Sequence, residues 1–323
     1  MPRSAPHRPA DRVASSPAPS RRRLVLGAAA GALLALPGAQ AHTAGEEADP
    51  VIETLYLAGA QLEVQFAPGF DKQLQRAALT WVRRAAMAVA AYLGRFPVTQ
   101  VVLLLVPADG AGVRAGTTFG EPELMIRLRL GRNTRPTQLR DDWILVHEMV
   151  HLAVPRVSPQ QNWLHEGLAT YVEGVARGRA GWVSPAAVWR GWAANMPRGQ
   201  PQAGDGGLDH TPSWGRTYWG GAIFCLRADV QMLTRSAGRA GLRQGLQGVL
   251  AAGGHYGVVW TAERILATAD AAVGQTTLTE LYQLMKDSSQ PTDLDALRLS
   301  LGVVDDGFDD TAPLASVRRA ILS

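Results

Sequence analysis

Two histidines four residues apart around a glutamate, in "WILVHEMVHL" (Trp143–Leu152), constrain this chain more than any other stretch. On a helix, His147 and His151 share one face about a turn apart. That spacing lets both imidazoles reach one tetrahedral ion, and Glu148, next to the first histidine, points beside it. The chemistry is that of zinc-dependent hydrolysis: the metal acidifies water and polarises a carbonyl, while the glutamate takes the proton. A buried amphipathic helix with two incidental histidines has the same local pattern, so a third ligand decides between the readings.

An open catalytic zinc site needs three protein ligands. The metzincin extension requires a glycine at position 154 and a histidine at position 157, where this chain has Val154 and Val157. Downstream, "NWLHEGLATYVEG" reads as a second helix, with Leu164, Leu168, Tyr171 or Val172, and Val175 repeating on one side. Glu166 lies in it, separated from His151 by fourteen residues, with Pro155 and Pro159 among them to turn the chain. His165 is the rival ligand; adjacent helical residues point about 100° apart, so the two do not bind the same ion together.

The pair "HEMVH" and "WLHEGLATY" resembles the gluzincin metallopeptidases, the clan of thermolysin and aminopeptidase N, and is most similar to the smaller bacterial peptidase MA-like domains. The resemblance implies a thermolysin-like zincin that binds one Zn²⁺ through His147, His151 and Glu166, with Glu148 as general base. "RTYWGGAIFCLRAD" is similar to a helix opening that supplies an oxyanion-binding tyrosine in aminopeptidase-N-like members, which implies that role for Tyr218. The likeness runs from Leu62 to Leu233. The spacing to Glu166 is shorter than is usual in the clan, and the Gly-Ala-Met-Glu-Asn stretch that holds a free N-terminus is absent. Glu121 or Glu123, in "GEPELM", stands in a comparable place.

The first 41 residues form a separate object. Arg21, Arg22 and Arg23 precede a 13-residue apolar run, Leu24 to Leu36, and Ala39-Gln40-Ala41 is a cleavage signal. Together they predict a twin-arginine export signal, removed near His42 to leave a periplasmic protein. The signal also holds the basic excess. The whole chain has 32 Lys and Arg against 28 Asp and Glu; without the six arginines and one aspartate of residues 1–41, 26 face 27. Nucleic acid is therefore not an expected partner. No membrane span is expected in the mature chain, and its single cysteine, Cys225 in "AIFCLRADV", reads as a small core residue.

The mature chain, 42–323, reads as one metallopeptidase domain: strand-rich over 50–135, zinc-site helices and loop over 136–210, helical over 211–323. "VIETLYLAGAQLEVQFAPGF" suits a strand pair, and Asp71 to Gly94 a long amphipathic helix. "TQVVLLLVP" suits a buried strand, and Asp109 to Gly120 a Gly- and Thr-rich loop. "ELMIRLRL" alternates strictly, which predicts an edge strand at Leu124 to Leu130 bordering the cleft. Pro136 to Val154 is helical in pattern. Residues 198–213 read as a mobile loop or flap carrying His210. Further helices are expected at Tyr218 to Leu233, Arg239 to Ala251, Trp260 to Ala269, Leu278 to Lys286, Leu294 to Leu301 and Pro313 to Leu322. The fold class is α+β. Glu173, seven residues after Glu166, is placed either to orient a ligand histidine or to be solvated. Trp182, Trp189, Trp192, Trp214 and Trp219 read first as core.

The reading is an exported zinc peptidase acting on peptide or protein substrates. Its rivals are a metal-binding periplasmic factor without activity and a zinc amidase acting on cell-wall peptides.

Overall fold

Two strands joined by a two-residue turn open the fold: β1 (Val51–Leu57) and β2 (Ala60–Phe66) pair antiparallel, with Ala58 and Gly59 at positive φ between them. The structure, a computed structural model, describes residues 50–305 and 307–323. The export signal predicted at 1–41 lies outside them. Helix α1 (Lys72–Leu93) starts where Asp71 accepts a hydrogen bond from the Leu74 N–H and stops at Gly94 in the left-handed conformation, so both punctuation residues act as expected.

The sheet is completed by β3 (Gln100–Ala108), β4 (Val113–Phe119) and β5 (Met125–Gly131), in the order β1-β2-β3-β5-β4. Strands β2, β3 and β5 run parallel; β4 returns antiparallel to β5. Two expectations are corrected here. The segment read as a loop from Asp109 contains β4, and β4 is the edge strand, whereas the alternating stretch at Leu124 to Leu130 lies inside the sheet. The polar face of β5 reflects exposure of one sheet face, with Arg127 and Arg129 outward and Ile126, Leu128 and Leu130 buried.

The helical pattern from Pro136 to Val154 is also interrupted. It forms α2 (Pro136–Arg140) and α3 (Ile144–His151), and Asp142 in the break accepts from the Leu145 N–H. Helix α4 (Asn162–Arg179) follows, then α5 (Pro185–Asn195), which the sequence reading left out. A five-residue π-helix, Arg216–Gly220, runs into α6 (Gly221–Arg235). The rest comprises α7 (Leu242–Ala251), α8 (Ala262–Val273), α9 (Thr277–Met285), α10 (Leu294–Ser300), a small hairpin of β6 (Val303–Val304) and β7 (Gly307–Phe308), and α11 (Ala315–Leu322). The buried face of the sheet joins α1, α3, α4 and α6 in one core, which includes Cys225. Among the described residues no helix is long and apolar enough to cross a membrane.

Residues 198–213 are packed rather than free. Asp209 accepts from the Trp163 indole at 2.7 Å and from the Tyr282 hydroxyl at 2.6 Å. His210 pairs with Asp287 at 2.7 Å. This segment is a strap across α4 and α9.

Candidate metal centre

Helix α3 delivers His147 and His151 to one face, and α4 brings Glu166 to meet them. The Glu166 Oε2 atom lies 3.1 Å from His147 Nε2 and 3.6 Å from His151 Nε2. One ligand atom from each of the three residues falls within 4.8 Å of the other two. Around a tetrahedral zinc with bonds near 2.0 Å, ligand atoms stand about 3.3 Å apart; the two distances from Glu166 lie near that value, and two imidazoles with a carboxylate are a donor set that suits Zn²⁺. The protonation states agree. Burial, then the neighbouring His147 and His165, hold His151 well below the ordinary histidine range, leaving a neutral ring with a free lone pair at neutral pH. The Nδ1 atoms of His147 and His151 are buried without a partner.

His165 lies outside the group of converging ligand atoms. Its Nε2 lies 2.6 Å from the Pro155 carbonyl, and its ring packs edge-on against Tyr256. Glu173 bonds Arg177 at 3.1 Å and makes no bond to a histidine. Glu121 is exposed and pairs with Arg156 at 2.6 Å, while Glu123 lines a separate groove with Gln61 and His255. His210 stays with Asp287 in the strap.

Glu148 is buried against the edge strand. Thr118 of β4 donates through Oγ1 to Glu148 Oε2 at 2.7 Å, and the same oxygen lies 3.0 Å from the Glu148 carbonyl. A Cβ at Gly116 would stand 2.5 Å from Glu148 Cγ, so only glycine lets the strand pass this close. Burial raises the Glu148 pKa, opposed by the Thr118 hydrogen bond and the His147 charge. Sequence reasoning missed Thr118 because its strand was read as a loop; "GTTF", small and β-branched before an aromatic, was the available signal.

Tyr218 completes the group. Its ring stacks on His147 at 6.1 Å, and Trp214 stacks on Tyr218 at 5.5 Å. Burial, followed by the Glu166 carboxylate, pushes its pKa up to about 12. The approach depends on two glycines: a Cβ at Gly167 would meet Gly221 Cα at 2.3 Å, and one at Gly221 would meet the Trp163 carbonyl at 2.2 Å. This bare crossing of α4 and α6 sets the π-helix, and with it Tyr218, beside Glu166. Next to Tyr218 opens a cleft of about 500 Å³ lined by Trp143, Trp214, Trp219, Glu173 and Arg177. Trp143 and Trp214 are 47% and 57% exposed, so Trp214 is not core as expected, whereas Trp189 and Trp192 are.

No protein-family model matches the chain, and neither does any curated protein sequence. Solved structures do. The aminopeptidase N family protein from Idiomarina loihiensis aligns over 78% of this chain and 49% of its own, with a TM-score of 0.57 and 12% identity. This chain shares the fold of that protein. The M1 zinc metallopeptidase from Deinococcus radiodurans aligns over 76% of this chain and 52% of its own, at 13% identity and a TM-score of 0.48. The chain thus spans about half the length of the solved structures it matches.

Proposed function

We propose that this chain is an exported zinc metallopeptidase that hydrolyses peptide bonds with Glu148 as general base. The reading rests above all on one arrangement: His147, His151 and Glu166 converge with the spacing of a tetrahedral ion, and Glu148 stands beside them under an edge strand. A zinc ion held by these three residues supplies a Lewis acid that polarises a carbonyl and lowers the pKa of water. Glu148, fixed through Oε2 by Thr118, takes a proton from the attacking water and returns it to the leaving amine. Tyr218, protonated at neutral pH, donates a hydrogen bond to the developing oxyanion. The substrate backbone pairs with β4, whose outer edge is unpaired among the described residues. The exposed Trp143 and Trp214 favour a bulky apolar side chain next to the scissile bond. Residues 1–41 direct export and are removed.

The test is metal analysis followed by digestion of a peptide library, with and without chelator. The expected result is one zinc per chain and cleavage that chelator abolishes, strongest at bonds flanked by aromatic residues. Stoichiometric zinc with no cleavage of any peptide overturns the peptidase reading in favour of a metal-binding factor. Cleavage confined to cell-wall peptides moves it to an amidase.

A further inference from the structure

Helix α4 runs on from Glu166 to Arg179, about 20 Å at 1.5 Å per residue, and ends at a recess with a different chemistry. The recess, about 150 Å³, is lined by Tyr92, Arg179, Asp229, Arg239, Arg243 and the terminal Ser323, among others. Three of these are cations, and none of the three makes an ion pair among the described residues; the arginine–carboxylate pairs there use other arginines. Asp229 offers one opposing charge, but both of its oxygens are engaged. Oδ2 accepts from the Tyr171 hydroxyl and Oδ1 from the Leu242 N–H, each at 2.8 Å.

A second observation points to a missing acceptor. Tyr92 is 2% exposed, and its hydroxyl is buried with no hydrogen-bond partner among the described residues. Such a group requires an explanation, since an unpaired buried donor is costly and native interiors rarely keep one. The recess also receives the N-terminus of α7, whose second and third N–H groups have no intrahelical acceptor and whose dipole favours an anion. Burial, and after it the charge of Arg243, holds the Arg179 guanidinium below the ordinary arginine range, with Asp229 opposing the shift.

We propose that this recess binds a small tetrahedral oxyanion of the phosphate type, gripped by Arg179, Arg239 and Arg243 and accepting a hydrogen bond from the Tyr92 hydroxyl. The ion ties α1, α7 and the turn before α7 to the end of the helix that carries Glu166. Arginine suits it because its planar fork matches the oxyanion edge.

The probe is inorganic phosphate, titrated into the zinc-loaded chain at constant ionic strength with chloride as the balancing ion, and followed by calorimetry and thermal melting. The expected result is saturable binding and a melting temperature that climbs with phosphate. Arg243→Gln should weaken binding on the order of tenfold or more, and Tyr92→Phe, which keeps the buried ring, several-fold. Arg239→Gln, at an exposed position where folding is not in question, should weaken it as well. Zinc content should stay unchanged in all three. Equal stabilisation by chloride overturns the proposal, as does undiminished binding in Arg243→Gln and Arg239→Gln, which would place the phosphate at the metal centre. No response in the wild type overturns it too. Binding only to phosphatidic acid vesicles, with none to free phosphate, overturns the free-ion assignment.

Discussion

Helix α4 carries two buried polar clusters, and they are built on opposite principles. At Asp229 the cluster is closed: the Tyr171 hydroxyl and the Leu242 N–H both point at the carboxylate, and α4, α6 and α7 are locked together. At Glu166 the cluster is open: a carboxylate oxygen and two imidazole nitrogens crowd one point. The first is what burial of polar groups demands of a structure. The second gathers three metal-ligating groups at one point beside a cleft, the kind of place where function becomes visible.

The largest way to break this contrast is in the open cluster. Glu148→Gln should lower kcat by about 10²–10⁴-fold, the usual worth of general base catalysis, with zinc content unchanged because Glu148 is not a ligand. A Gln variant with full activity, or one that loses its metal, removes the distinction between base and ligand. Glu166→Ala should lower zinc content and His165→Ala should not, since His165 is held by the Pro155 carbonyl. The reverse outcome in metal analysis would exchange their roles.

The closed cluster should respond in stability alone. Asp229→Ala orphans two buried donors at about 1–3 kcal/mol each, so unfolding in urea should show a loss of about 2–6 kcal/mol, with zinc stoichiometry of the folded protein intact. The pH dependence has a definite sign. Burial raises the Asp229 pKa above its ordinary 3.8, so the folded state holds the proton more tightly than the unfolded chain. That contribution is complete below the unfolded pKa and is lost as the pH rises through the folded one. Wild type should therefore gain stability on Asp229→Asn as the pH is lowered from neutrality toward about 4. A difference that moves the other way contradicts the burial argument.

The open cluster was the legible one, because its logic is local. His147, Glu148 and His151 share a single turn, which helical periodicity shows, while the choice of Glu166 over His165 on the next helix came from the resemblance of its motif. The edge strand was not legible. Val113–Phe119 is rich in small and polar residues, and its strand character comes from pairing with β5, whose own alternation drew the edge assignment to itself. The strap at 198–213 looked mobile because its anchors, Trp163, Tyr282 and Asp287, are distant in sequence. Helix α5 had a local signal that went unused: Ser184 caps it and Pro185 takes its first turn.

The smallest effect tests the link between the edge strand and the base. Thr118 Oγ1 has one proton and two acceptors on the same residue, Glu148 Oε2 and its carbonyl, so it fixes side chain and helix backbone together. Thr118→Val keeps the shape, removes the donor and leaves Oε2 without that bond inside a buried site. A hydrogen bond to a charged group is worth about 1.5–3 kcal/mol. Only part of that should appear in the transition state, so a fall in kcat of about tenfold is expected, with KM and zinc content little changed. Thr118→Ser retains the hydroxyl and should recover most of the rate. If valine and serine behave alike, β4 acts only as a wall, and the position of Glu148 is set by Gly116 and the packing of α3.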